Sequence, residues 1–522
     1  MKSNWIKYVF IIFVIAVIIA VIYKVNQKEN EKEEETQTTA TEEEVIKDIN
    51  LGVAEFDTIN PILSQNKHVQ EISRTIYEPL FELDAEYKLQ KCLVTDWAKT
   101  SATTYLIKLR NDIKWSDGSK LTIEDVSYTI DILKQIPSIY GNNVQYIVGV
   151  DKIDDDTLQI TIDHEITFFE YNLIFPIMSK AYFDGQDFST TEKNNAPVGT
   201  GKYKIVQNDN DKIVLNKNEN YTRDELTPET ITITKYANLG ELYNAFKLGK
   251  VDVITTNNTS IENYIGTIGY NKQEVAGREF DYLAFNTQTG ILGKTEVRNA
   301  LSHAINRDNI IATQYNSKYK VMDYSLDYGN WLRGDAGDTS YNPELAQQIL
   351  QQNGWEYKYN RWQKTENYVT QALTFRLVVQ ASNQTRVNIA EMIKTDMANI
   401  GINITIIKAS DNQYQSYLQN KNYEAIITGT TISANPSIET YMSTCNFNNE
   451  ELNNLMAEVK NITKEDLLKE KYTRMREIFN EQKPYIGLYS SYYAVESSWT
   501  LKGSVTPNWY NVYMDVNNWY KN

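Results

Sequence analysis

Arg386, with Gln384 two residues before it, stands ahead of an apolar stripe formed by Ile389, Ile393, Met397 and Ile400. A guanidinium at that place can hold a carboxylate through two parallel hydrogen bonds. An arginine at a helix start is also, more commonly, a solvated one. Other spacings that suggest chemistry fail on inspection. Gly201-Lys202 has the look of a phosphate cradle, but that loop needs a glycine five residues before its second one and a hydroxyl residue after the lysine. Ala196 and Tyr203 occupy those places, so Gly199 and Gly201 read as chain-reversing glycines. The glycines of Gly290-Ile291-Leu292-Gly293-Lys294-Thr295 are too close together for the same job. Asp154-Asp155-Asp156 offers carboxylates for a secreted hydrolase, yet it lies between a Gly149-Val150-Asp151 turn and an alternating strand and reads as a loop. The sequence contains no G-x-S-x-G, H-E-x-x-H or catalytic Cys/His pairing. His68, His164 and His303 share no ligand spacing, and Cys92 and Cys445 read as unpaired thiols, with a disulfide tying two domains as the alternative. The chemistry on offer is binding, with no cofactor and no metal expected.

The elements that must position such a site are legible. Tyr105, Ile107 and Leu109 alternate as a half-buried strand, Asp117-Gly118 turns the chain, and Thr122 with Asp125 forms a capping box. Ile123, Val126, Ile130 and Leu133 then keep helical spacing until Pro137. Ile49 to Val53 and Thr230 to Lys235 read as strands, and Leu242, Ala245 and Phe246 as a helix stripe ended by Gly249. Val297 to Ile305, the helix from Asn342-Pro343 to Asn353-Gly354, the stripe after Arg386 with its strand Ile402 to Ile407, and Leu468 to Phe479 before Pro484 repeat the helix and strand alternation. That pattern indicates an α/β protein with a sheet covered by helices.

A chain of 522 residues is too long for one core and suits two or three domains. Its net charge of −16 argues against a nucleic-acid partner. Trp5 to Tyr23 is nearly all apolar, and as a helix it would span roughly the ~30 Å of a bilayer's hydrocarbon. Lys2 precedes it, Lys7 interrupts it near its start and acidic residues follow, so the N-terminus is expected inside and the body outside. With no A-x-A site, an uncleaved signal anchor is preferred over a cleaved signal peptide. Asn26 to Glu44, rich in Glu and Thr, reads as a disordered tether whose roughly twenty residues reach about 25 Å.

The ordered run Leu109-Arg110, Lys114-Trp115, Asp117-Gly118, Leu121-Thr122 and Glu124-Asp125-Val126 resembles the core of extracellular solute-binding protein family 5, which serves ATP-binding-cassette (ABC) importers of peptides and nickel. Thr58-Ile59-Asn60-Pro61, Ile76-Tyr77-Glu78-Pro79-Leu80, Pro197-Val198-Gly199-Thr200-Gly201-Lys202-Tyr203, Gly249 to Val253, Asn286-Thr287, Val297 to Leu301 and Tyr485 to Tyr489 are similar to further family motifs in the same order. The resemblance implies a two-lobe, hinged α/β binding protein with an extra subdomain in its first lobe, preceded here by the single transmembrane helix. The expected division is residues 1–25 as cytoplasmic tip and anchor and 26–47 as tether. Residues 48–278 with 490–522 form lobe I and 279–489 lobe II. Strands near Arg278 to Phe285 and Pro484 to Ser490 supply the hinge.

In peptide-binding relatives, an aspartate in a "W.aDy.DP" segment holds the ligand's ammonium group. By alignment Thr430 replaces its tryptophan, Ser433 that aspartate and Asn435 the second aspartate, with Thr431 between them. The charge partner for a free amine is absent, while neutral Ser and Asn can still bond amides or hydroxyls. Blocked peptides, glycans and other polar solutes therefore stay open beside free peptides. Phe56, after the first strand, can line the cleft or fill the core. The expected function is a monomeric, membrane-anchored extracellular receptor that captures an oligopeptide or similar solute by lobe closure and presents it to an ABC permease, without enzymatic activity. The alternatives are a sensing ectodomain without transport, or a receptor for a glycan or metal chelate.

Overall fold

Tyr105, Ile107 and Leu109 point one way from the strand Thr104–Leu109 and are buried, as their alternation predicts. That strand pairs with Val94–Ser101 and Thr157–Ile162, and Ile147–Lys152 completes a four-stranded antiparallel sheet. The chain leaves this sheet through the Asp117-Gly118 turn. Gly118 takes a φ of 89°, and Asp117 accepts from the Ser119 amide at 2.9 Å. Thr122 then donates its amide (2.8 Å) and hydroxyl (2.9 Å) to Asp125, starting the helix Ile123–Gln135. Its buried Ile123, Val126, Ile130 and Leu133 each contribute about 1.5–3 kcal/mol against this sheet and its surroundings. The acidic run is a loop, its Asp154 carboxylate accepting from the amides of Asp156 and Thr157.

The structure, a computed structural model, describes residues 16, 17, 19–21, 24, 47–288, 290–326, 328–335 and 337–522. The expected membrane helix and the acidic tether lie almost wholly outside the described residues. Among the described residues no helix is long and apolar enough to cross a membrane.

Within Lys47–Tyr520 the organising feature is a ten-stranded sheet. In chain order its strands are β1 (Asp48–Ala54), β2 (Tyr203–Asn208), β3 (Lys212–Lys217), β4 (Thr230–Tyr236), β5 (Val253–Thr256) and β6 (Tyr270–Phe285), then β7 (Thr374–Gln380), β8 (Asn403–Ala409), β9 (Ala425–Thr431) and β10 (Tyr485–Ser498). Across the sheet they run β8-β7-β9-β6-β10-β5-β1-β4-β3-β2. β6 and β10, of 16 and 14 residues, lie side by side and antiparallel at the middle. Their register slips between Ala276 and Phe280, where Gly277 is pressed against Ser491. A Cβ on Gly277 would sit 2.3 Å from the Ser491 carbonyl oxygen.

On one side of this central pair the sheet belongs to a large core that also includes the four-stranded subdomain and the C-terminal residues Val512, Tyr513 and Trp519. On the other side two adjoining cores are built from residues between Phe280 and Tyr489. Phe168 packs against both the first core and the third.

Gly199 and Gly201 stand at the bend of residues 200–202, as the sequence predicts, though neither takes a positive φ. They let the chain pass against the Ile76 carbonyl, 1.9 Å and 2.7 Å from where their Cβ atoms would be. The three-stranded meander Glu356–Lys358, Arg361–Glu366 and Val369–Ala372 was not foreseen; it is anchored by buried Trp362, whose indole donates to the Ile400 carbonyl at 2.7 Å.

Candidate functional site at the crossing strands

Strand direction fixes where the open ends of the sheet face. β1 runs parallel to β4 and β5, and β5 pairs with β10 so that Thr256 lies nearest the register slip. β7 runs parallel to β8 and β9, and β9 pairs with β6 so that Thr431, opposite Glu279, also lies nearest the slip. The carboxyl ends of β1, β4 and β5 therefore face those of β7, β8 and β9 across the central pair. In parallel sheets the loops at carboxyl ends are where ligands bind.

All seven expected site residues sit at such ends. Phe56 follows β1 and is half-buried, with the Lys235 ammonium 4.1 Å from its ring centroid. Gln384 and Arg386 open the helix Gln384–Asn399 just beyond β7. Thr430 and Thr431 end β9, and Ser433 and Asn435 lie in the loop after it. Gln384 is exposed and donates to Asn388 at 2.8 Å.

Arg386 is neither solvated nor free. Its Nε and Nη2 donate to the two oxygens of Asp281 at 2.8 and 2.6 Å, with side-chain exposures of 17% and 12%. Burial opposes the Arg386 charge, but the Asp281 hydrogen bonds and charge outweigh it, and the guanidinium pKa lies above its ordinary value. Tyr489 donates to Asp281 at 2.7 Å, and Tyr315, stacked on Tyr319 at 3.7 Å, donates to Tyr489. Burial pushes the Tyr315 hydroxyl up to about 12. Gly429, facing Asp281 across β6 and β9, leaves room for the pair, since a Cβ there would lie 1.8 Å from Asp281 Oδ1. The fork expected to take a ligand carboxylate is thus engaged within the protein.

The loop after β9 links the two sides of the sheet. Ile432 accepts at its carbonyl from Arg278 Nε (2.9 Å) and Nη2, and donates its amide to the Arg278 carbonyl at 2.8 Å. Ser433 is exposed and its hydroxyl accepts from the Asn435 amide at 3.1 Å. Asn435 Nδ2 donates to the carbonyls of Thr167 (2.6 Å) and Phe168 (3.2 Å) in the first core. Trp331 adds a second link, its amide donating to Glu86 at 3.0 Å, and the pair Lys88–Glu465 a third at 2.7 Å. On the opposite flank Asn316 donates to Thr259 (3.3 Å) and Ser260 (3.1 Å), and Lys320 pairs with Glu274.

Glu279 is a candidate that sequence reasoning missed. It is exposed, stands across from Thr431 and accepts its hydroxyl at 2.9 Å, with the second carboxylate oxygen unbonded among the described residues. Its place in the crossing strand is the only sequence signal for it. Among the described residues no group of three or more His, Cys, Asp or Glu is placed to hold a metal ion.

The profile of the bacterial extracellular solute-binding proteins, family 5, middle region, matches residues 88–453. The chain belongs to this family. It is 25% identical over 390 residues to the dipeptide-binding protein of Escherichia coli (strain K12), covering 68% of this chain and 70% of that protein. It is 20% identical over 464 residues to the oligopeptide-binding protein AppA of Bacillus subtilis (strain 168), covering 84% of each. Among solved structures, the nickel ABC transporter protein of Bacillus halodurans superposes with a TM-score of 0.75 at 19% identity, over 91% of this chain and 99% of that one. The fold is the two-lobe α/β fold of the periplasmic binding proteins. Family members are extracellular or periplasmic solute-binding components of ABC importers, not enzymes.

Proposed function

We propose that the chain is a membrane-anchored extracellular receptor that captures an oligopeptide or similar polar solute and hands it to an ABC permease. Residues 48–278 with 490–522 act as lobe I and 279–489 as lobe II, closing about β6 and β10. The observation that carries this reading is the opposition of parallel-strand carboxyl ends across the crossing pair, with Phe56, Thr430, Thr431 and Ser433 at those ends. An extended solute between such ends is held through its backbone amides and loosely through its side chains. Arg386 is tied to Asp281, so a ligand carboxylate is not its main partner. Glu279 and the hydroxyls of Thr431 and Ser433 provide the exposed polar contacts. The anchor is the apolar stretch Trp5 to Tyr23, and its tether keeps the body near the permease.

The test is stabilisation of the purified full chain by a peptide library that contains each sequence both with a free and with an acetylated N-terminus. A saturating, concentration-dependent rise in unfolding temperature is expected from some peptides. Stabilisation by glycans or metal chelates with none from any peptide would refute the peptide reading. Recovery in carbonate-washed membranes, with the body cut by protease added outside the cell, checks the anchoring.

A further inference from the structure

A cavity of about 500 Å³ opens beside the first core, and none of Phe56, Gln384, Arg386, Thr430, Thr431, Ser433 and Asn435 lines it. It lies where the segment after the helix Lys67–Ser73, the hairpin strand Phe81–Leu83, the Lys202 to Asp224 region and the C-terminal residues Thr506 to Val516 meet. The size falls within the ~300–1,000 Å³ of small-molecule sites.

Most of the charges on its wall cancel locally. Glu78 pairs with Arg223, Lys202 with Asp224 at 3.4 Å, and Arg110 with Asp112 at 2.8 Å. Asp84 accepts from the amides of Glu86 and Lys88 and from Gln90, and Asp515 accepts from Thr506. Arg74, Lys91 and Glu82 are left without an opposite charge among the described residues, and the Lys91 ammonium donates to the Thr95 carbonyl at 2.7 Å. Arg74 donates only through Nη2, to the Ile174 carbonyl at 2.9 Å, leaving Nε and Nη1 without a partner among the described residues. The Glu82 carboxylate has no hydrogen bond or ion pair among the described residues. Arg74 and Glu82 line the same cavity without forming an ion pair with each other. Asn511, also on the wall, has its side-chain oxygen buried without a donor.

We infer that this cavity is a second binding site, for a small zwitterion of the free α-amino acid class, its carboxylate on Arg74 and its ammonium on Glu82. A molecule carrying both charges two bonds apart can bridge a guanidinium and a carboxylate that do not pair with each other, and it satisfies both at once. A peptide in the interlobe site keeps its termini far apart and does not fit this pair. The site is therefore independent of the interlobe one.

Equilibrium dialysis of the full chain against radiolabelled L-alanine, L-leucine, L-glutamine and L-phenylalanine tests the inference. At least one should bind saturably, and its N-acetyl and carboxamide derivatives should not. Arg74→Gln and Glu82→Gln should each weaken binding about tenfold or more, as loss of a charge-assisted contact requires, while peptide stabilisation persists. Glu82 is exposed, so Glu82→Gln carries the test should Arg74→Gln fail to fold. The inference is overturned by saturable binding of none of the four, by equal binding of the blocked derivatives, or by binding that survives Glu82→Gln. Loss of peptide binding alone, with amino-acid binding intact, counts against the proposed function and not against this site.

Discussion

Replacing Asp281 by alanine separates a structural role for Arg386 from a ligand-binding one. In the native protein the carboxylate accepts from Arg386 Nε, Arg386 Nη2 and the Tyr489 hydroxyl. Removing it leaves a guanidinium of 17% exposure without its counter-charge. Stranding a buried ion costs about 3–5 kcal/mol, and the slight exposure here places the loss near the lower figure, about 3 kcal/mol. Arg386→Met strands the carboxylate instead and should cost a similar amount. The double variant strands neither charge, so its loss should fall below that of either single variant and well below their sum. Urea unfolding followed by tryptophan fluorescence measures all three. In a parallel thermal melt, a cooperative unit of about 200 residues should show its Tm lowered by roughly 6–12 °C in the single variants. The reasoning fails if the single variants lose less than about 0.5 kcal/mol, within the range of ordinary surface changes. It fails equally if their losses add while Arg386→Met alone abolishes peptide binding, because the arginine would then belong to the ligand.

Asn435→Ala removes the two bonds to Thr167 and Phe168, about 2 kcal/mol and roughly thirtyfold in the closed-to-open ratio. Small-angle scattering should show a larger radius of gyration and titration a weaker peptide affinity, and no change in both would refute the link's role in closure. Glu496 is fully buried with neither carboxylate oxygen bonded, and burial lifts its pKa from 4.5 to about 7. The folded protein then holds this proton to higher pH than the unfolded chain, so stability should fall as pH rises from about 4.5 to 7, by about 3 kcal/mol at most. Glu496→Gln should flatten that slope in urea titrations, and an unchanged slope would exclude Glu496 as its source. Gly199→Ala places a methyl 1.9 Å from the Ile76 carbonyl oxygen and should cost about 2–3 kcal/mol in urea unfolding, whereas a substitution with no cost would mean the backbone yields there.

Local physics made much of the fold legible. The capping box at Thr122 and Asp125, the proline start at Pro343 and the glycine stop at Gly249 act over a few residues, and each element appears where the sequence places it. The meander from Glu356 to Ala372 escaped because its strands are short and largely exposed, with no alternation to reveal them. Gly199 and Gly201 read as turn glycines and the chain bends there, but their close approach to the Ile76 carbonyl leaves no separate trace in the sequence. At the site, Ser433 and Thr431 could be placed by their neighbours along the chain. The Asp281 and Arg386 pair could not, because 105 residues separate partners that only the crossing strands bring together. Gly429 was the one local hint, an unexplained glycine near the end of an otherwise β-rich run.

The side-by-side passage of β6 and β10 has a mechanical consequence. Two ladders bonded to each other resist sliding, and the tight seat of Gly277 on Ser491 leaves little room for splaying. What remains is torsion of a single ribbon. Under the proposed closure, the outer surface is then driven along one path whatever solute is bound, so the same mechanical message reaches whatever reads it.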